Sequence, residues 1–368
     1  MRILIVTNLY PDARLPAFGT FVAEHAEALR RAGAVVEVVA TTGIPAQQAV
    51  LRKYISLSFR TLLAALMARV RRRRPRVVEA HVAYPTALLA WMAARITGAR
   101  LVVYSHGSDV TGDGADGVPR LVARSLFHHR LARRVFRAAD LLVANSTFIH
   151  DQLISRFRVD PQRVVVVSPG INYRLFSASG SGRSRNGILY VGRLARGKGV
   201  HELLDAVRRL APGTALRFVG DGPERAALEA AADAAGVRAE FCGALPPGQV
   251  AALMSEAAVV AMPSVYPEAL GLVALEAMAA GALVVASSSG GIGESVIDGE
   301  TGWSVPPGDV DALALALQEA VATAADADPA ARSALLRAAD QKARSHDVDV
   351  IALHLLDLYG SLSASRRA

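Results

Sequence analysis

The chain has 368 residues, 52% hydrophobic and 20% charged, with 41 Lys and Arg against 33 Asp and Glu for a net charge of +8. That composition excludes a disordered chain and suits two domains of common size. The single cysteine, Cys242, excludes an intramolecular disulfide, fits a reducing compartment and reads as a small buried hydrophobe after Phe241.

The opening "MRILIVTNLY" lacks the long apolar core and small-residue cleavage site of a signal peptide. No uninterrupted apolar run approaches the roughly 18 residues needed to span a bilayer. A cytoplasmic protein, soluble or peripheral on the inner face of a membrane, is expected.

In chain order, "RILIV" reads as a fully buried parallel strand. A loop then leads to a helix from about Thr20 to Ala32 that Gly33 stops, and "AVVEVVA" is the next strand. A helix follows around 50–74 and ends in "ARVRRRRPR". Its arginines, Arg69 to Arg76, read either as solvated cations complementing a helix C-terminus or as a patch for anionic lipid. Nucleic acid is disfavoured, because no aromatic residue is interleaved with them. Then come "RVVEAHV", a helix around 85–97, "RLVVYSHG", "LLVANS" and "RVVVVSPG". Strands alternating with helices predict a parallel sheet covered on both faces.

The polar run "SASGSGRSRN" reads as a linker. It places a first domain over 1–170, a link over 171–187 and a second domain over 188–345, with a helical tail over 346–368 that could cross back to the first. In the second domain the alternation restarts with "GILYVG", a helix near 199–210, "LRFVG", "AEFCG", "VVAMPS", a helix from about Leu270 to the stop at Gly281, and "ALVVASSSGG". Two doubly wound Rossmann-like domains facing across a cleft are predicted.

Ligands of open parallel sheets bind beyond the carboxyl ends of the strands. The polar loops there are "SHGSDV", "GRLARGKG", "GDGPE" and "PSVYPEALGLVALEAMAAG". Arg193 and Lys198 flank a glycine-rich turn ahead of a helix, a place suited to a phosphate or diphosphate. Leu270, Gly271 and Leu272 offer the free N–H groups of a second helix start. Glu276, with Leu272, Val273, Ala279 and Ala280 as helical neighbours, is costly to bury unless satisfied. A ribose diol would satisfy it, as would an arginine or a backbone donor. Glu268 could accept sugar hydroxyls or simply favour a helix N-terminus. His106, at a strand end, is by itself more often structural. The nine histidines show no metal-ligand spacing, no carboxylate cluster points to a metal, and "TNLYPDA" lacks the glycines of a dinucleotide fingerprint.

Together "PSVYPEALGLVALEAMAAGALVVAS", "YVGRLARGKGV", "FVGDGPERAALEAAA", "FCGALP", "GGIGESVIDGETGWSVPPGD", "YSHGSDV" and "VVVSPGIN" resemble the family 4 retaining glycosyltransferases, with Glu268 and Glu276 in the place of their Glu-x7-Glu segment. The resemblance implies a GT-B fold and transfer of a sugar from a nucleotide-sugar donor, UDP- or GDP-linked, to an acceptor, with retention and without a metal or other cofactor. It implies that Arg193 and Lys198 hold the donor diphosphate, Glu276 the ribose and Glu268 the donor-sugar hydroxyls. His106 would lie beside the donor sugar, Ala269 to Leu272 would give backbone contacts, and Gly19 would lie near the diphosphate. The acceptor, whether a glycan, a lipid-linked or a natural-product molecule, stays open, because acceptors contact the first half, where the resemblance is weakest.

Overall fold

The computed structural model describes residues 1–12, 18–41, 50–82, 85–107, 110, 126–178, 185–325 and 329–364. The chain divides into two compact units, Met1–Gly170 with Val348–Ala368, and Ile171–Asp347. Among the described residues, no helix is long and apolar enough to cross a membrane.

The first unit is built on a six-stranded parallel sheet in the order β2-β1-β3-β4-β5-β6. Its strands are β1 (Arg2–Thr7), β2 (Val35–Ala40), β3 (Val77–His81), β4 (Arg100–Ser105), β5 (Leu141–Ala144) and β6 (Val164–Val166). Both faces are covered by helices, so the central strands are near-continuous apolar runs. β3 is buried throughout although it contains Glu79 and His81. Helix α1 (Thr20–Arg31) turns Val22, His25, Ala26 and Leu29 inward, while α2 (Val50–Val70) and α3 (Thr86–Thr97) pack on one another.

α2 stops at Val70 rather than near 74. Arg72 adopts a left-handed φ of 53°, which helical backbone cannot accommodate. The helix Val348–Ala364 belongs to this unit and buries Val348, Ala352, Leu355 and Tyr359 at helical spacing in the core that also holds Val22 and Leu29.

The second unit repeats the plan, with the strand order β12-β11-β10-β7-β8-β9. These strands are β7 (Asn186–Val191), β8 (Leu216–Val219), β9 (Ala239–Gly243), β10 (Ala257–Met262), β11 (Leu283–Ser287) and β12 (Trp303–Val305). Cys242 is half-buried rather than buried, because β9 is an edge strand with a neighbour on one side only. Part of the stretch expected to link the domains is packed here. Asn172 caps the helix Tyr173–Ser177 by accepting from the Leu175 N–H at 3.1 Å, and that helix buries Phe176. Residues 179–184 of that stretch lie outside the described residues.

From β7 the chain runs outward through β8 to β9, and from β10 it runs the other way through β11 to β12. β7 and β10 are therefore the pair at which strand order reverses, the position where doubly wound sheets bind ligands. In the first unit the same reversal falls between β1 and β3.

Candidate active site

In the second unit, the loops after β7 and β10 lie side by side because their strands pair in parallel, Ala261 against Tyr190. The N–H groups of Val265 and Tyr266 both donate to the Gly197 carbonyl, at 3.0 and 3.1 Å. That contact explains two glycines. A Cβ on Gly197 would collide with the Tyr266 ring, and one on Gly199, at φ 69°, with the Pro263 carbonyl. The same Gly199 opens the helix Val200–Val207.

This backbone contact brings Lys198 to Glu268, 70 residues away in sequence. Lys198 Nζ donates to Glu268 Oε1 at 2.5 Å, and Ser264 Oγ donates to the same oxygen at 2.6 Å. The side chains are 37% and 19% exposed, so a ligand can reach both. Arg193, on the same loop as Lys198, is exposed and makes no ion pair among the described residues, while its carbonyl accepts from the Tyr190 hydroxyl at 2.9 Å. Burial first, and then the Glu268 charge, push the Tyr190 hydroxyl well above the ordinary tyrosine range, so it remains a donor. The 220–224 loop braces this arrangement: Leu194 exchanges backbone bonds with Asp221 and Glu224, and the Glu224 carboxylate pairs with His201 at 2.7 Å.

After Glu268 the chain is held to the loop that follows β11. The Glu268 carbonyl accepts from the Gly291 N–H at 2.8 Å, and the Leu270 carbonyl from Ser295 Oγ at 3.1 Å. Ala269 is half-buried and Leu270 buried. Gly271 then opens the helix Leu272–Ala279, which begins two residues later than its apolar pattern predicts. Glu276 lies half-buried on that helix between buried neighbours and is engaged by another group of the protein.

The remaining expected site residues, Gly19 and His106, belong to the first unit. Gly19 has φ 70° and starts α1, pressed so closely on the Leu9–Tyr10 backbone that no Cβ fits. His106 follows β4 and is committed at both ring nitrogens: Nδ1 lies 3.1 Å from Asn145 Nδ2, and Nε2 lies 2.9 Å from His81 Nδ1.

Behind it is a group that spacing in the sequence does not reveal. Glu79 Oε2 accepts from His25 Nε2 at 2.9 Å and lies 3.5 Å from His81 Nε2, and the three side chains are 0 to 3% exposed. These ligand-type atoms lie within 4.8 Å of one another, although positions 25, 79 and 81 carry no metal-ligand spacing. Burial pushes the Glu79 carboxyl upward, but the attraction of His25, the hydrogen bond from it and the nearby His81 outweigh that and hold its pKa at about 2. Burial lowers His81, and burial together with His81 and His25 holds His106 well below the ordinary histidine range. The hydrogen-bond pattern assigns one set of tautomers: Asn145 donates to His106 Nδ1, and His106 Nε2–H donates to His81 Nδ1. His81 and His25 then turn N–H groups toward Glu79.

Residues 18–175 match the family described as Glycosyltransferase Family 4, and residues 174–334 the one described as Glycosyl transferases group 1. The chain is 30% identical to a D-inositol 3-phosphate glycosyltransferase of Rhodococcus opacus over 81% of its own length and 72% of that protein. It is 35% identical to a glycogen synthase of Mycobacterium tuberculosis over 74% of its length, a match spanning just under two thirds, 65%, of that relative. A GDP-mannose-dependent phosphatidylinositol monomannoside mannosyltransferase of Mycolicibacterium smegmatis is 33% identical over 65% of each chain. Among solved structures, HepE of Anabaena in complex with UDP and glucose superposes with a TM-score of 0.76 at 21% identity, over 98% of this chain and 100% of that one. Sucrose-phosphate synthase of Thermosynechococcus elongatus superposes with a TM-score of 0.78 at 23% identity, over 99% of both chains.

Proposed function

The chain belongs to glycosyltransferase family 4 and has the two-domain GT-B fold, and we propose that it is a retaining, metal-independent transferase acting from a nucleotide-sugar donor. The observation that carries this reading is the loop pair at the β7/β10 reversal, where Lys198 meets Glu268 and Arg193 stands exposed on the same loop as Lys198. Two cations and the N–H groups from Leu270 to Leu272 give a diphosphate what a metal would otherwise supply, fixed positive charge where negative charge grows as it leaves. A relative named for GDP-mannose and a neighbour holding UDP favour a UDP- or GDP-linked sugar.

In this reading Arg193 and Lys198 hold the diphosphate, Glu268 accepts donor-sugar hydroxyls near the reacting carbon, and Glu276 accepts from the ribose diol. Gly19 would lie near the diphosphate. His106, with both ring nitrogens engaged, would meet the donor sugar through its ring edge or backbone. The bond from the anomeric carbon to the leaving phosphate oxygen breaks while the acceptor oxygen bonds on the same face, and the acceptor proton passes to the leaving phosphate. The acceptor is an alcohol on a glycan, a lipid-linked molecule or a natural product. A cytoplasmic enzyme brought to an anionic membrane by Arg69–Arg76 fits that range.

The test is release of nucleoside diphosphate from a panel of UDP- and GDP-sugars, with and without acceptor alcohols, in excess EDTA. At least one donor should be consumed, with the anomeric configuration kept in the product by NMR. No consumption of any donor would refute the transfer reading. Activity lost to chelator and restored by Mn²⁺ would refute metal independence alone.

A further inference from the structure

Helix α2 is apolar on two opposite faces. Leu57, Thr61 and Ala65 are buried against the first unit. On the other side Ile55, Phe59, Leu63, Leu66, Met67 and Val70 recur at helical spacing, all in the open, with Phe59 68% and Val70 69% exposed. A row of large apolar side chains four turns long is unusual for a surface that meets only water. On α3, which packs against α2, Trp91 and Met92 are exposed as well.

The charge around this row has one sign. Residues 50–76 contain nine Lys and Arg and no Asp or Glu. The run after the helix is turned outward, with Arg71 to Arg74 and Arg76 all exposed. Arg69 is tethered to the α3 end by a 2.7 Å bond to the Ile96 carbonyl.

We propose that α2 is a membrane-docking helix. It lies in the plane of an anionic bilayer surface, with the row from Ile55 to Val70 inserted among the acyl chains and Arg71–Arg76 on the headgroup phosphates. Charge decides between this occupant and a second copy of the chain. A two-fold dimer presents the same surface twice. With the helices parallel, the arginine runs would meet; antiparallel, each would meet Arg52 and Lys53, so either way cations would face cations. An anionic lipid surface pairs with both features at once. The inference rests on the peripheral-membrane reading of the function. Vesicle binding is measured without sugar transfer, so its failure leaves the transferase reading standing.

The experiment is co-sedimentation of the full chain with phosphatidylcholine vesicles, with and without phosphatidylglycerol. Binding is expected only with phosphatidylglycerol and should weaken with salt. Two variants separate the contributions. Replacing Arg71 to Arg74 by Gln should weaken binding at least about hundredfold. F59S with L66S should weaken it about tenfold or more while leaving attraction at low salt. All these side chains are exposed, so thermal unfolding should match that of the parent, and the arginine variant still tests the idea if the other misfolds. Equal binding to neutral and anionic vesicles, or binding unchanged in both variants, would overturn the proposal. So would a concentration-dependent dimer abolished by F59S with L66S, because the second copy would then be the occupant.

Discussion

Lys198 is paired with Glu268, and that makes a prediction about Glu268 that runs against simple loss of a contact. A diphosphate that recruits Lys198 must first draw it from Glu268 Oε1, 2.5 Å away. It must also approach a carboxylate that repels it. Glu268→Gln keeps an oxygen to accept from Ser264 and from the lysine but removes the charge. A charge-assisted hydrogen bond contributes about 1.5–3 kcal/mol. An exposed ion pair contributes about 0.2–1 kcal/mol. With Lys198 37% and Glu268 19% exposed, the pair falls between, at about 1 kcal/mol. The variant should therefore bind free UDP or GDP about fivefold more tightly in calorimetry.

Turnover should move the other way. If Glu268 holds donor-sugar hydroxyls in the transition state, its loss should slow transfer by about tenfold to 150-fold, the same energy range read as a rate. The control is a cycle with Lys198→Met. In the double variant the Gln substitution should tighten nucleotide binding less, because no lysine remains to be released and only the carboxylate's repulsion is relieved. Weaker nucleotide binding in Glu268→Gln, or equal tightening with and without Lys198, would refute the argument.

Arg193→Ala should weaken nucleoside diphosphate binding by about 1.5–3 kcal/mol, since the side chain has no other ion-pair partner to return to among the described residues; unchanged calorimetric affinity would remove it from the site. Glu276→Ala should mainly weaken binding of free nucleotide, and a 2′-deoxyribose donor should lose less than the ribose form; equal losses would return Glu276 to a structural role. The first unit should also lose stability in acid. His81 and His106 are held below the ordinary 6.5, so below that pH the unfolded chain takes up protons that the folded unit refuses. Glu79, held at about 2 against an ordinary 4.5, gives stability that is present above 4.5 and is lost as pH falls toward 2. Amide exchange of β3 and β4, corrected for intrinsic rates, should accelerate in both windows; Glu79→Gln should remove the second, and protection flat from pH 7 to pH 3 would contradict both.

The strands were legible because a parallel sheet covered on both faces needs apolar runs, and "RILIV" and "VVAMPS" supply them without alternation. Gly33 and Gly281 marked their helix ends because each adopts a left-handed φ, 89° and 73°. Distant pairing was not legible. Arg193, Lys198 and Glu268 stand out as polar residues at strand ends, but only the β7–β10 contact sets lysine against glutamate, and nothing in the spacing marks Ser264 as a second donor to that oxygen. The same holds for His25 and Glu79, which the packing of α1 on the sheet unites across 54 residues. For α2, composition alone showed an apolar helix with a basic end. Which face the core takes depends on α3 and β2, so the bare face could be recognised only after folding.

The buried Glu79 group bears on the chemistry because it settles what His106 cannot do. Carrying a carboxylate into the interior is costly, and a hydrophobic set of the same volume is often as stable. What the set does here is tie elements together. Val77, Glu79 and His81 alternate onto the α1 face of β3, His25 reaches them from α1, and Tyr104 of β4 stacks on His81. Tyr104 shares a 2.5 Å hydroxyl contact with Tyr359 of the C-terminal helix. Held between His81 and Asn145 and kept neutral, His106 has neither a free nitrogen nor a spare proton to exchange at neutral pH. A reaction passing beside it needs another place for the acceptor proton. Within the proposed transfer, the departing phosphate oxygen is the base whose affinity for a proton rises as its bond to the sugar breaks. If His106 stands beside the donor sugar as proposed, its part there is position and shape rather than acid–base chemistry.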